Sequence, residues 1–266
     1  AEAGLIDGAL YPDQAMAELE NLLDGPCKPV SFSAYARLAR LERWLGDLGQ
    51  QQARVAVVHL EGPIVHGLEP MGGSGRRIDA DRVVPVLDQI GKDVRVRAVV
   101  LYVNSPGGSA LASDLIARAV GRITDKKPVV AVFGDVSASG GYYLSAPAAE
   151  IVAQPGTLTG SIGVVGGKLV FGQAFANFGI MGESISAGPN VGIFDPWEPF
   201  TEEQRTRFRE MLGRTYQRFL GVVSGGRKVP LEAVEEVAEG RVWTGRQAIE
   251  RGLVDHLGDL SLGVRR

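Results

Sequence analysis

The sequence is poor in the residues that build disulfides and metal sites. It contains one cysteine, Cys27, and three histidines among 266 residues. A lone cysteine excludes a disulfide within the chain and any multi-cysteine metal site. No apolar stretch approaches the ~20 residues that a membrane-spanning helix requires, and the first residues lack the basic and apolar regions of a signal peptide. We therefore expect no metal, no cofactor and no transmembrane helix within this chain.

The chain also lacks a large excess of either positive or negative charge. The 28 basic and 31 acidic residues give a net charge of −3, so the chain offers no broad basic surface and we expect no nucleic-acid partner. The contents of 45% hydrophobic and 22% charged residues are ordinary for a globular protein. This composition excludes a mainly disordered, collagen-like or coiled-coil chain.

A short internal echo suggests a repeated architecture. Residues 2–7 read EAGLID, and residues 250–255 read ERGLVD. A helix-like stretch precedes the second copy near the end of the chain, whereas no such stretch precedes the first copy. We expect residues 1–53 to hold the tail of a preceding repeat and a helical linker, and residues 54–266 to form the main domain.

Apolar strands and helical patterns alternate along the main domain. Strands are predicted at 55–60, 98–103, 129–133 and 150–153, and helices at 79–90, 111–123 and 139–146. Continuous apolar strands separated by helices favour an α/β fold with a largely parallel sheet. The first of these strands is predicted to be buried, and we expect His59 within it to be a core residue.

The last third of the chain has a helical pattern. Thr201 followed by Gln204 is a capping box, which marks a helix start. An apolar stripe follows, and we predict it to be ordinary core packing without a chemical role; its members are Phe208, Met211, Leu212, Tyr216, Phe219 and Leu220.

Three glycine-rich loops, at 104–109, 137–143 and 157–163, follow consecutive strands. Such loops meet at one edge of a parallel sheet, where sites form. Ser139 lies on a predicted strand-to-helix turn with free N–H groups nearby, a setting that suits a nucleophile beside an oxyanion hole. Its surroundings lack the first glycine of the G-x-S-x-G nucleophile elbow. Ordinary turn glycines and a phosphate or CoA cradle are the alternative interpretations.

A nucleophilic serine needs a base, and residue patterns alone do not supply one. His66 lies in a loop and His256 near the C-terminus, neither of them in a loop that looks catalytic. A lysine base must be desolvated, so that its pKa falls from ~10.4 toward ~7–8. Lys168 is the one lysine with apolar neighbours, so it is the internal candidate.

At this point the motifs resemble a known family. The segments VNSPGGS (103–109), ASGGY (138–142), TLTGSIG (157–163) and VWTG (242–245) are similar to those of the signal peptide peptidase A enzymes, Ser/Lys peptidases of family S49. The resemblance covers about residues 55–260. It implies the Clp protease/crotonase fold and membrane-associated cleavage of remnant signal peptides and other apolar peptides. It places the catalytic part on the extracytoplasmic side of the bacterial inner membrane.

The resemblance also implies roles for individual residues. Ser139 matches the nucleophile of the family. Gly108 and Gly140 match the residues whose backbone N–H groups form the oxyanion hole. Ser161 matches the hydroxyl that orients the catalytic lysine.

The catalytic lysine itself is where this sequence departs from the family pattern. Single-domain members carry the lysine in a segment that corresponds to 185–193, and here Val191 stands at its position. Long members consist of two tandem halves, with the serine in the C-terminal half and the lysine in the N-terminal half. We therefore expect this chain to be the C-terminal half of a long member, with its lysine and membrane anchor outside the chain and a homotetrameric assembly.

Two other functions remain open at the level of sequence. A crotonase-type CoA enzyme would use the Gly108 and Gly140 amides to hold a thioester enolate, and it would need a carboxylate base. Asp135 is the nearest carboxylate to these loops. A catalytically silent module that binds peptides or builds a scaffold is the other alternative.

Overall fold

The strands that carry the candidate loops lie side by side in one sheet. A computed structural model of the chain describes residues 53–67, 76–185, 187–188 and 190–266. The predicted linker, the first copy of the internal echo and Cys27 lie outside the described residues, so the predicted division at residue 53 stays a prediction.

Nine strands and eight helices are described in these ranges. The strands are β1 (Arg54–Glu61), β2 (Ile64–Val65), β3 (Ile78–Asp79), β4 (Val96–Ser105), β5 (Val129–Ala138), β6 (Glu150–Ala153), β7 (Leu158–Gly160), β8 (Val242–Thr244) and β9 (His256–Leu257). The helices are α1 (Ala80–Lys92), α2 (Ala110–Thr124), α3 (Gly140–Ser145), α4 (Gly172–Ala176), α5 (Glu202–Arg227), α6 (Leu231–Val237), α7 (Gly245–Glu250) and α8 (Leu260–Arg265).

The main sheet is parallel except at one strand. Its order is β1-β4-β5-β6-β9, while β7 pairs with the end of β5 and with β8. Only the β7–β8 pair is antiparallel among the described strands of this sheet. β2 and β3 form a separate parallel pair. The predicted α/β class with a largely parallel sheet is confirmed.

β5 is longer than its sequence pattern predicted. The apolar run ends at Phe133, but the strand continues to Ala138 because two partners share it. β6 pairs with residues 130–132, and β7 pairs with residues 136–138. β5 therefore ends directly before Ser139, so the candidate nucleophile begins the turn at the sheet edge.

The expectation that β1 is buried, with His59 in the core, is wrong. β1 is an edge strand of the main sheet. One of its faces packs inward through Leu60, which is 2% exposed, while Val55 and Val57 on the other face are 47% and 42% exposed. His59 lies on this outer face, and its side chain is 55% exposed. A strand at the edge buries one face only, although its sequence is apolar on both.

The long helix α5 begins as predicted. The Thr201 hydroxyl oxygen accepts the Gln204 N–H at 3.2 Å, and the Thr201 N–H donates to Gln204 Oε1 at 3.2 Å. This capping box satisfies two N–H groups that the first turn would otherwise leave unpaired. Among the described residues, no helix is both long and apolar enough to cross a membrane.

Candidate active site

Ser139 occupies a strained turn between β5 and α3. Its backbone angles are φ 52° and ψ −119°, a region that non-glycine residues rarely adopt and that often marks a functional position. Two backbone hydrogen bonds hold this conformation: the Ser139 N–H donates to the Gly160 carbonyl, and the Tyr143 N–H donates to the Ser139 carbonyl, each at 2.9 Å. The strain is therefore imposed by the strand pairing and the helix start on either side.

The glycines after Ser139 are required by close packing. A Cβ added to Gly140 would overlap the Ser113 hydroxyl oxygen, and one added to Gly141 would lie 2.8 Å from the Ser105 carbonyl oxygen. Gly140 is also the first residue of α3, so its N–H lies in the first turn, where no helical acceptor exists. Within the described part of the chain, that N–H has no acceptor.

The loop between β4 and α2 lies against this turn. A Cβ added to Gly107 would come within 2.8 Å of both the Gly140 nitrogen and the Ser139 Cβ. The backbone of the loop therefore touches the backbone of the nucleophile turn, which brings the predicted oxyanion-hole residues Gly108 and Gly140 to the same place. α2 begins directly after the loop, where the Ser109 hydroxyl oxygen accepts the Ala112 N–H at 3.3 Å.

Ser161 reaches the same edge through β7. The parallel register pairs Ala138 with Gly160, so the residues that follow these two strands, Ser139 and Ser161, leave the sheet side by side. Ser161 also has a positive φ, 49°, and its N–H donates to the Arg241 carbonyl at 2.7 Å. The hydroxyl is thus carried on a second strained turn that backbone hydrogen bonds hold in place.

All four predicted site residues line one cavity of about 610 Å³. These residues are Gly108, Ser139, Gly140 and Ser161. Another part of the lining comes from α5, through Leu212, Tyr216 and Phe219. The structure therefore brings together every residue that the sequence assigned to the site, and it adds a largely apolar wall.

The prediction for the α5 stripe is wrong in part. Phe208, Phe219 and Leu220 are buried in the protein, as expected of core residues. Leu212 and Tyr216, however, line the cavity of Ser139, and Phe219 does so as well. The stripe pattern was visible in the sequence, but a stripe does not reveal which part of it faces a cavity.

Tyr143 links the nucleophile helix to the α5 wall. Its hydroxyl donates to Asp114 Oδ1 at 2.7 Å, and Arg218 Nε donates to the same oxygen at 3.0 Å. Its ring packs against Phe219, with the ring centroids 4.6 Å apart. Burial and the bond to Asp114 hold the pKa of Tyr143 well above its usual range. Tyr143 is therefore a neutral phenol that fixes α3 against α5, and it is not a proton acceptor.

The structure places none of the candidate bases at the cavity. Lys168 Nζ lies over the ring of Phe200, 4.5 Å from its centroid, and Lys168 is absent from the residues that line the cavity. Val191 is 68% exposed and does not line the cavity either. Among the described residues that line the cavity there is no lysine and no histidine.

The three histidines are occupied elsewhere. His59 Nδ1 lies 3.7 Å from Glu61, His66 Nε2 lies 3.8 Å from Asp81, and His256 Nε2 lies 3.3 Å from Glu150. Among the described residues, no group of three or more histidine, cysteine, aspartate or glutamate side chains could hold a metal ion. Among the described residues, no histidine and no metal cluster therefore accompanies Ser139 in the cavity.

Glu239 is a charged residue of the cavity that the sequence analysis did not predict. It is the one carboxylate among the described residues that line the cavity. Its backbone is left-handed, with φ 55°, its N–H donates to the Tyr216 hydroxyl at 3.2 Å, and Arg241 Nη2 donates to its Oε2 at 2.7 Å. No motif in the sequence pointed to this position, because the loop that holds it folds back from the far end of the chain.

Comparisons with known proteins place the chain among peptidases. The model of "Peptidase family S49" matches residues 122–265. The chain is 34% identical to "Serine protease SPPA, chloroplastic" of Arabidopsis thaliana over 99% of its own length and 39% of the relative's. It is 37% identical to "Protease 4" of Salmonella typhi over 80% of its own length and 34% of the relative's. The chain therefore spans little more than a third of these relatives.

A solved structure supports the fold. A ClpP1 mutant from Listeria monocytogenes superposes with a TM-score of 0.50 and 16% identity, covering 78% of this chain and 94% of that one. At this identity the likeness concerns the fold alone. The expected Clp protease/crotonase-like fold is confirmed.

Replacing Gly107 tests the contact between the loop and the nucleophile turn. Gly107→Ala places a Cβ against Gly140 and Ser139 at a φ of 104°, so we expect a loss of about 1–3 kcal/mol in the free energy of unfolding. Gly221→Ala is the matched control, since it lies in α5 with nothing within 4 Å of the added Cβ, and helix propensity predicts a gain of up to about 1 kcal/mol. Urea unfolding measures both. Equal stabilities of the two variants would show that the loop and the turn are not in contact.

Proposed function

The chain belongs to peptidase family S49, and on that premise we propose that it is the nucleophile-bearing half of a serine peptidase. The observation that carries this proposal is the strained Ser139 in the lining of a cavity that also holds the backbone N–H groups of Gly108 and Gly140, neither of which has an acceptor among the described residues. A serine beside such donors suits attack on a carbonyl carbon.

In the proposed reaction, Ser139 Oγ attacks the carbonyl carbon of a peptide bond. The carbonyl oxygen becomes an oxyanion and accepts the N–H groups of Gly108 and Gly140. The serine proton passes to a neutral lysine amine, which then gives a proton to the departing amine of the product. A water molecule then attacks the acyl-enzyme while the lysine takes a proton from it. The bond between Ser139 Oγ and the acyl carbon breaks, and the lysine returns the proton to Ser139 Oγ.

The lysine is proposed to come from a second S49 repeat of the same protein. Two observations support this. The cavity offers no lysine or histidine among the described residues that line it, and the relatives from Arabidopsis thaliana and Salmonella typhi are more than twice as long as the matched region. The Ser161 hydroxyl lines the same cavity as Ser139, a position from which it could accept a hydrogen bond from the incoming amine and orient it.

The segment that follows Ser161 supports docking of that repeat. It carries large apolar side chains that are almost fully exposed, including Val165 at 98%, Met181 at 89% and Ile185 at 99%. Val165 also lines the site cavity. Exposed apolar surface of this kind marks interaction sites, and it begins at the cavity where a base is needed.

The substrates are proposed to be apolar peptides, including remnant signal peptides. The support is the largely apolar α5 part of the lining of the Ser139 cavity, formed by Leu212, Tyr216 and Phe219. The resemblance extends the proposal to a homotetramer that is membrane-associated through an anchor in another part of the protein. Its catalytic part then lies on the extracytoplasmic side of the inner membrane.

A CoA enzyme of the crotonase type fits the cavity less well. Such an enzyme needs a carboxylate base near the oxyanion donors. Asp135 is exposed and does not line the cavity. Glu239 does line it, but its carboxylate is 67% exposed and is paired with Arg241.

Removing the Ser139 hydroxyl tests the nucleophile. In the full-length protein, Ser139→Ala should lower peptide turnover by at least about 10³-fold and abolish labelling by a fluorophosphonate probe, with an unchanged melting temperature. Ser145→Ala is the control, because this fully buried serine donates to the Gly141 carbonyl within α3 and should keep both activity and labelling. Labelling that persists in Ser139→Ala would remove Ser139 from the mechanism.

The origin of the base is tested by comparing the chain alone with the chain co-expressed with the proposed lysine-bearing repeat. We expect turnover of an apolar peptide only in the pair, rising with pH as the lysine amine loses its proton. Lys168→Ala should leave the activity of the pair unchanged, as should Lys126→Ala at an exposed lysine. Robust turnover by the chain alone that disappears in Lys168→Ala would show that the base is internal.

A further inference from the structure

The loop between β4 and α2 has an unusual distribution of backbone donors. Pro106 has no N–H, and the Gly107 N–H donates to the Ser105 hydroxyl oxygen at 3.1 Å. The Ser109 N–H donates to the Ile64 carbonyl at 2.8 Å. In the described part of the chain the Gly108 N–H has no acceptor. The loop therefore presents a single free donor, and that donor belongs to the residue proposed to hold the oxyanion.

The Gly107 carbonyl group of this loop is also hydrogen-bonded. The Ile64 N–H donates to the Gly107 carbonyl at 2.9 Å, and Ile64 and Gly108 form a parallel bridge. A Cβ added to Gly108 would overlap the Ile64 carbonyl oxygen. The two peptide planes that flank Gly108 are thus both fixed by Ile64, and the peptide plane before Gly107 is fixed by the Ser105 hydroxyl.

We propose that Ser105 is a positioning residue of the oxyanion hole: its buried hydroxyl holds the Gly107 N–H, so that the Gly108 N–H alone is directed to the substrate oxygen. Ser105 is fully buried and ends β4. Without its hydroxyl, the Gly107 N–H would be left buried and unpaired, and the peptide plane before Gly107 would turn to find an acceptor. Turning that plane changes the backbone angles of Gly107 and pulls its carbonyl against the bond from the Ile64 N–H, which shifts the direction of the Gly108 N–H.

This inference rests on the proposed function, since an oxyanion hole has a role only if Ser139 attacks a carbonyl. The inference goes beyond the proposed function because it names a side chain, outside the cavity lining, that sets the direction of one oxyanion-hole donor. Ser105 is absent from the residues that line the cavity.

The neighbouring strand supplies a matched control. Ser137 is the register partner of Ser105 across β4 and β5, and it is equally buried. The Ser137 hydroxyl, however, has no hydrogen-bond partner among the described residues. Ser105→Ala and Ser137→Ala therefore remove the same atom at the same depth from adjacent strands, and only the first removes a bond to the loop.

The experiment compares these variants in the full-length protein with two probes. A peptide boronic acid forms a tetrahedral adduct on a nucleophilic serine and needs the oxyanion hole, whereas the corresponding product peptide binds without it. We expect Ser105→Ala to weaken the boronate by about 10-fold or more, a part of the ~10²–10³ effect of losing a donor outright. Product affinity and KM should change by less than about 2-fold, kcat should fall with the boronate affinity, and Ser137→Ala should resemble the wild type.

Ser105→Cys is a second variant in case Ser105→Ala fails to fold. Its thiol is of similar size but is a weaker hydrogen-bond acceptor than the hydroxyl, so we expect an intermediate loss of boronate affinity. Unchanged boronate affinity in Ser105→Ala and Ser105→Cys would overturn the positioning role, while loss of boronate binding in Ser139→Ala would leave the proposed function standing. Equal weakening of boronate and product would show a merely structural role and would likewise overturn it. A wild-type protein that binds no boronate would overturn the proposed function, and this inference with it.

Discussion

The backbone hydrogen bond from the Ser139 N–H to the Gly160 carbonyl, 2.9 Å long, is the contact on which the site depends. It continues the parallel register of β5 and β7 by one residue beyond the strand. Because it is made, Ser139 and Ser161 leave the sheet as neighbours, each with a positive φ. The same turn leaves the Gly140 N–H at the start of α3 without an acceptor among the described residues. One strand pairing thus brings together the proposed nucleophile, a proposed donor and the second hydroxyl.

Around this contact the backbone of the site is firmly held, although one group that the proposed reaction needs is missing from the described residues. Backbone bonds from Ile64 and the hydroxyl of Ser105 fix the loop that carries Gly108. The Tyr143–Asp114–Arg218 network ties the nucleophile helix to the wall of the cavity. The proposed donors and the proposed nucleophile are therefore held in place by the fold itself, as the preorganised donors of an oxyanion hole must be. The described residues that line the cavity include no lysine and no histidine, and this is why the proposed mechanism requires a lysine from a second repeat.

Much of this arrangement is readable from local sequence signals. The alternation of apolar strands and helices predicted the parallel sheet, and the rule that loops meet at the carboxyl ends of parallel strands predicted that the three glycine-rich loops would meet. The family resemblance then singled out Gly108, Ser139, Gly140 and Ser161 within these loops. These predictions succeed because each depends on a short segment and on one general property of parallel sheets. The bond between Ser105 and Gly107 also spans two residues only, so the Ser-Pro-Gly-Gly turn contained a signal that could have been used.

Other features depend on contacts between distant segments and could not be read in this way. The exposure of His59 follows from the position of β1 at the sheet edge, which its apolar sequence does not show. The role of Tyr216 in the cavity wall depends on how α5 packs across the site, some 77 residues after Ser139 in the chain. Glu239 arrives from a loop still later in the sequence. In each case long-range packing, not local preference, decides what the residue contacts.

The most direct test of the account is a crystal structure of the protein with a peptide boronic acid bound. The account predicts a covalent bond from Ser139 Oγ to boron and one boronate oxygen within about 2.7–3.1 Å of both the Gly108 and the Gly140 nitrogens. An adduct on another residue, or a boronate oxygen directed away from both nitrogens, would contradict it.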